Sequence, residues 1–306
     1  MAGRESIEIM SQAAAPSTEA APSQRFALTA LILGGAAIGG SPIFVRLSEV
    51  GPMATAFWRV ALALIPIFIF SLIKKDSGPK PEKLSDYAML ILPGVILAAD
   101  LAAWHLSITM TSVANATLLA NLAPVFVTVI GFVAFRAPVS RIFVLGLALA
   151  LAGVVILKGG PAALGNGDLR GDGVAIIAAI FYAGYILAIG QLRSRFDTIR
   201  IMLWSTASAA ICVFPLGFFF EAHMLPPTAY GWAIVFGLAF ISHASGQVAI
   251  AFALAYLPAA FSSLTLLLQP VVAAILAWVL LNEAIGPMQA IGGLVVLAGI
   301  MIARRG

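Results

Sequence analysis

The sequence predicts an all-α integral membrane protein whose ten transmembrane helices form two inverted five-helix repeats. Three observations predict it. Of 306 residues, 61% are hydrophobic and only 10% charged, where a soluble domain carries roughly 25% charge. Ten apolar runs are long enough to cross a ~30 Å hydrocarbon core, which takes about 20 helical residues. The stretch Ala114–Lys158 also recurs 146 positions later as Ala260–Arg304. Under that offset Leu118 meets Leu264, Leu122 meets Leu268, Pro124 meets Pro270, Val125 meets Val271 and Gly146 meets Gly292, while Leu151-Ala152-Gly153 meets Leu297-Ala298-Gly299. Trp58 and Trp204 obey it too, so the duplication covers most of the chain.

Residues 1–25 are rich in Ala, Ser, Pro and Gln with charges of both signs, and they read as a disordered N-terminal segment. The first span is Phe26–Val45. It lacks a small-residue cleavage site after a basic start, so it reads as a retained helix and not as a signal peptide. Its Gly34, Gly35, Gly39 and Gly40 permit close helix contact, and Pro42 marks a break or hinge. Met53–Ile73 follows the turn Gly51-Pro52. Tyr87–Thr109 follows Gly78-Pro79 and carries Asp100. Val113–Phe135 contains Pro124, and Val139–Leu157 closes the first repeat (26–158) at Gly159-Gly160-Pro161. The second repeat (172–304) runs through Gly173–Gln191, Ile199–Phe220, Tyr230–Tyr256, Ala259–Leu281 with its internal Pro270, and Ile285–Ala303. Lipid offers the backbone no hydrogen-bond partner, and Gly, Ala and Leu dominate without period-two alternation, so the spans are helices.

The net charge of +4 suggests nucleic acid only until the basic residues are placed. Thirteen Lys and Arg fall in the N-terminal segment, Lys74–Lys83, Arg136–Arg141, Arg193–Arg200 and Arg304-Arg305. The opposite face holds Arg46, Lys158 and Arg170, and Arg59 lies inside the second span. That bias puts both termini in the cytoplasm, in agreement with ten spans, and leaves no nucleic-acid surface. Five spans per repeat is an odd number, so the second copy enters the membrane from the other side. Such inverted repeats recur in secondary transporters, with sites near the midplane between the repeats. The one cysteine, Cys212, sits inside an apolar span, which rules out a disulfide framework and a cysteine-based metal site. No cofactor or metal is expected.

These residues resemble the drug/metabolite transporter superfamily, specifically its EamA-type ten-helix proteins. The resemblance rests on Phe57-Trp58-Arg59, on Leu122-Ala123-Pro124-Val125-Phe126, on Leu281-Asn282-Glu283 and on the small-residue helix Gly292–Ile302, and it spans Phe26 to Arg304. It implies transport but not one substrate, since the superfamily handles amino acids, purines, sugars, amines and drugs. The stretch from Asp100 to Phe126, with Ser112-Val113-Ala114-Asn115-Ala116, is most similar to bacterial amino-acid exporters, including those for aromatic amino acids. The implied setting is the bacterial inner membrane. Two departures stand out. Arg136-Ala137 occupies the place of Asn282-Glu283 in the first repeat, and Ile38-Gly39-Gly40 stands where many relatives carry tryptophan, which removes an aromatic platform from that helix.

The candidate substrate-binding residues are polar or aromatic groups within spans. Asp100 at a helix centre costs roughly 2.5–3.5 kcal/mol to insert, so it faces a wet cavity, pairs with a neighbouring helix or carries a proton. Trp104 is one turn later on the same face. His105 is rotated away and is expected near the outer interface. Thr117, Asn121 and Pro124 form one stripe on the fourth span, where the proline frees the Ala120 carbonyl. Ser262, Thr265 and Gln269 form a corresponding stripe beside Pro270. Asn115, Tyr182, Tyr185, His243 and Gln247 complete the set, with helix packing as the alternative role for each. Glu283 reads as a helix-end residue, and Arg59 has no acidic partner that sequence can name.

Together these features point to alternating access by a carrier that exports small polar metabolites, with amino acids as the expected cargo. Coupling to protons through Asp100 and simple facilitated efflux both remain open, as does the oligomeric state. A channel and an exporter of purines, amines or drugs are the rivals. No G-x-x-x-x-G-K-[ST] stretch is present for nucleotide binding. An intramembrane enzyme is disfavoured because Asp100 is the only aspartate well inside a span and H-E-x-x-H is absent.

Overall fold

A computed structural model describes residues 24–74, 78–111, 113–160 and 168–306. The predicted disorder of residues 1–25 falls almost wholly outside them, as do Ser112 and Pro161. All regular elements among the described residues are helical. The first span is α1 (Gln24–Gly39) and α2 (Ser41–Leu47), and the second is α3 (Pro52–Ile73). The third is α4 (Leu84–Met110). The fourth comprises α5 (Val113–Ala120) and α6 (Ala123–Phe135), and the fifth is α7 (Arg141–Leu157). In the second half come α8 (Leu169–Leu192) and α9 (Thr198–Phe220). The eighth span joins α10 (Ala229–Gly237), a π-helical stretch Leu238–Gln247 and α11 (Val248–Ala253). The ninth is α12 (Ala259–Thr265) with α13 (Leu268–Leu281), and the tenth is α14 (Pro287–Ala303). Among the described residues eight spans are long and apolar enough to cross a membrane, while α7 and α14 are shorter apolar helices.

Chain chemistry explains the breaks. Pro42 and Pro124 each sit in the first turn of the second piece of a broken helix, where a missing N–H costs nothing. Pro270 sits one position further in, still within the first turn of α13. The fourth span breaks at residues 121–122 and the ninth at 266–267, within one residue of each other under the 146-residue offset. The offset also relates the helix ends. Arg136 and Asn282 both cap with left-handed backbone, φ 52° and 56°, and the Ala137 and Glu283 N–H groups reach back to the Gly131 and Ala277 carbonyls. Asn tolerates that conformation better than Arg. Arg136→Gly is therefore expected to stabilise the protein by about 1 kcal/mol, read as a higher melting temperature in detergent; an unchanged or lower one would count against strain at this cap.

The duplication is visible in three dimensions as well. Helices α7 and α14 cross so closely that a Cβ on Gly146 would lie 2.7 Å from the Gly299 carbonyl oxygen, and one on Gly153 would lie 2.9 Å from that of Gly292. Adding the offset to one contact yields the other with the helices exchanged. The two copies of this helix thus run antiparallel about a pseudo-two-fold axis, as inverted repeats require. The larger pairings obey the same exchange: α4 packs along α8, while α1 packs along the π-helical stretch and α11. Large apolar side chains such as Leu72, Val133, Phe219 and Leu294 cover the outside, the reverse of a soluble protein.

Candidate functional site

A cavity of about 210 Å³ opens between the repeats. Its walls are the α1–α2 junction, the first turns of α3, the second half of α4, α5, the middle of α8, the π-helical stretch and the start of α13. In each element the contributing residues lie at mid-span or toward the face opposite the chain ends, with Val45 and Lys158 among them. Burial pushes the Lys158 ammonium below its ordinary value. Toward the chain ends the bundle is sealed: Leu31, Tyr185, Ile189, Phe196, Ile250 and Leu254 are all buried in one apolar cluster. Two ion pairs join the repeats on that sealed face, Lys74 to Asp197 at 2.9 Å and Arg195 to Asp86 at 2.8 Å. On the opposite face Arg46 pairs with Glu283, which gives Glu283 the helix-end role read from sequence.

Of the candidates named from sequence, Asp100, Trp104, Thr117, Asn121, Tyr182, Gln247 and Gln269 line this cavity, together with Pro42 and Pro270. Tyr182 is central. Its ring lies beside the side-chain amides of Gln247 and Gln269 and within Coulombic reach of both Arg59 and Asp100. Asn121 donates to the Thr117 carbonyl at 2.7 Å, one turn before the helix break.

Four candidates are placed elsewhere. Asn115 donates to Asp172 at 3.2 Å, and Thr111 does so at 2.7 Å, tying the connection between α4 and α5 to the start of α8. Tyr185 stacks beneath Tyr182 with ring centroids 6.1 Å apart and is only 2% exposed, so it belongs to the seal. His243 engages Thr206 of α9 at 3.1 Å. Thr265 donates to the Phe261 carbonyl at 2.9 Å. The stripe drawn through Ser262, Thr265 and Gln269 assumes an unbroken helix; the turn at Leu266–Leu267 rotates Gln269 off that line and into the cavity. Pro124 packs at the break in the fourth span without lining the cavity.

Five polar cavity residues stood outside the candidate set, Thr55 and Lys158 among them. Arg59 was visible as a lone cation within a span, but its company, Asp100, is supplied by another helix. His105 was expected at an interface. It is instead 5% exposed and lines the cavity. Five residues turn an α-helix by about 140°, yet the cavity wraps far enough around α4 to take both Asp100 and His105. Ser41 had no distinguishing signal. Among the described residues the three ion pairs involve neither Arg59 nor Asp100, so these two charges share a cavity without closing on each other.

The EamA-like transporter family model matches residues 25–158 and 169–305. An uncharacterised transporter of Archaeoglobus fulgidus is 28% identical over 86% of this chain and 92% of its own. The pseudopaline exporter CntI of Pseudomonas aeruginosa is 26% identical over 81% and 84%. A probable terminal-alkyne amino-acid exporter of Streptantibioticus cattleyicolor is 25% identical over 86% and 87%. One crystal structure superposes with a TM-score of 0.77 at 17% identity, covering 91% of this chain and 98% of that one, a likeness of fold.

Proposed function

This chain belongs to the EamA-like transporter family, and from that premise we propose that it exports small polar metabolites, amino acids first among them, by alternating access. It is a membrane transporter and not an enzyme. The proposed setting is the bacterial inner membrane with both termini in the cytoplasm, which makes the observed conformation open toward the outside. The observation that carries this reading is a cavity walled by both repeats, holding a cluster of polar side chains within an otherwise apolar lining, reaching toward one face and sealed at the other. A channel would need a continuous path, whereas this seal is several apolar side chains deep. The broken helices at Gly40, Asn121–Leu122 and Leu266–Leu267 supply points at which one half can bend against the other.

Counterflow in proteoliposomes tests it, with labelled amino acids, purines and polyamines presented with and without a pH gradient. Unlabelled amino acid on the far side is expected to accelerate entry of the label. Flux without that acceleration would mark a channel, and acceleration by purines or polyamines alone would remove amino acids as cargo. If protons drive export through Asp100, Asp100→Asn abolishes any dependence on the pH gradient; pH-driven transport intact in that variant excludes the role.

A further inference from the structure

Buried polar atoms normally find partners; along this cavity the Ser41 hydroxyl, which can donate or accept, lacks one, and the remaining atoms without one fall into two chemical kinds. The Arg59 Nε and the Gln269 amide nitrogen are buried N–H donors with no acceptor. His105 holds its Nδ1 2.7 Å from the Leu101 carbonyl, which can only accept, so Nδ1 carries the proton. In the neutral ring Nε2 is then a lone-pair acceptor, and it too is buried without a partner. Asp100 adds a carboxylate that takes part in none of the ion pairs among the described residues. All four side chains line the same cavity. Arg59 is within Coulombic reach of both Asp100 and His105, which keeps the donors and acceptors around one space.

We propose that the cavity selects zwitterions, taking a carboxylate on the N–H groups of Arg59 and Gln269 and an ammonium on Asp100 and His105 Nε2. The inference rests on the reading of the chain as an amino-acid exporter and adds its requirement: both charges must be present on one small molecule. An ammonium donates to both acceptors, and a carboxylate accepts from both donors, so a bound zwitterion satisfies all four of these groups. A neutral or singly charged analogue leaves one set buried and unpaired, which is the stronger penalty. Arg59 is suited to its part because its planar fork grips a carboxylate with two hydrogen bonds. Lys158, at the end of α7, adds positive charge that draws the carboxylate in. The apolar and aromatic remainder, Leu97, Leu101 and Trp104, is left for the side chain of the cargo.

The test is displacement of labelled leucine and phenylalanine from the purified full-length protein. The competitors are the free amino acid, its carboxamide, which lacks the carboxylate, and its N-acetyl derivative, which lacks the ammonium. Removal of either charge is expected to weaken competition on the order of 100-fold, the effect of two charged hydrogen bonds lost at one end. In Arg59→Gln the amino acid should bind roughly 100-fold less well while the carboxamide binds as before, so that the two become equal. Equal weakening of both ligands would make Arg59 a structural residue and overturn its role. If wild-type protein binds the amino acids but is displaced equally well by carboxamide and N-acetyl forms, the zwitterion requirement is wrong and amino-acid export stands. If neither labelled amino acid binds, the underlying reading fails with it. The wild-type competition series decides these cases even where Arg59→Gln does not fold.

Discussion

Gly292→Val is expected to abolish folded protein, because the helix it sits on has nowhere to retreat. A Cβ at that position would lie 2.3 Å from the Leu157 amide nitrogen and 2.5 Å from its Cα, both backbone atoms of α7. Backbone cannot rotate away as a flexible side chain can, so the two helices must separate. Each has only 17 residues, about 25 Å of helix, and close packing on the other through small residues is what holds them in place. Overpacking of a core costs about 1–3 kcal/mol where neighbours yield. Here they do not, and more than about 4 kcal/mol is expected. The pseudo-symmetry demands that Gly146→Val be as damaging, since its Cβ would meet the Ala303 nitrogen at 2.5 Å. Gly190→Ala is the control: nothing lies within 4 Å of its added Cβ, and alanine favours the helix. Size-exclusion profiles and melting curves in detergent decide it, and a Gly292→Val protein that melts within a few degrees of the wild type would refute the crossing.

Neutralising the two ion pairs on the sealed face is expected to open it. Asp86 and Asp197 carry the acidic halves, and each reaches a base contributed by the other repeat. For Asp197, burial works to raise the carboxyl pKa, but hydrogen bonds from Lys74 and the Ile199 N–H outweigh it and hold the group below its ordinary value. A carboxyl lowered in the folded state contributes above its unfolded pKa and loses that contribution as pH falls through the folded value. The Lys74 pair therefore persists throughout the physiological range. Asparagine at both positions keeps an acceptor for the backbone N–H groups that the carboxylates now receive from Glu82, Lys83 and Ile199. What is lost is the charge across the repeats and the second carboxylate oxygen that Lys74 or Arg195 reaches. Lys74 and Arg195 are about half exposed, so each pair is a modest contributor, and the double variant should shift the population ~10-fold. Leu31, fully buried in the seal, reports on this when replaced by cysteine in a Cys212→Ser background. Thiol labelling at Leu31→Cys should accelerate by that factor in Asp86→Asn/Asp197→Asn, and an unchanged rate would show that these pairs do not hold the face shut.

The helices were legible because lipid imposes a simple rule on composition, and the spans read from sequence fall within a few residues of those observed. The differences lie at charged ends. Here α4 starts at Leu84, with Asp86 receiving two backbone N–H groups, and α8 starts at Leu169, capped by Asp168. Periodicity that marks lipid-facing sequence stops short of such turns. Site residues were legible where one helix decides their direction, as for Asp100 and Trp104. They were not where a break intervenes, which separated Thr265 from Gln269, or where a partner on another helix claims the group, as Asp172 claims Asn115 and Thr206 claims His243.

By itself the sequence determined residence in the membrane, the number and order of the helices and the duplication, since each depends on local composition or on residues matched at a constant spacing. Tertiary structure decided which polar side chains share a space. Arg59, Asp100, His105 and Gln269 come from three helices of two repeats, and whether such groups pair, point to lipid or line a cavity depends on helix rotation and separation. Those are set by close contacts such as the glycine crossing of α7 and α14, where a few ångströms between backbones fix the geometry of everything they support.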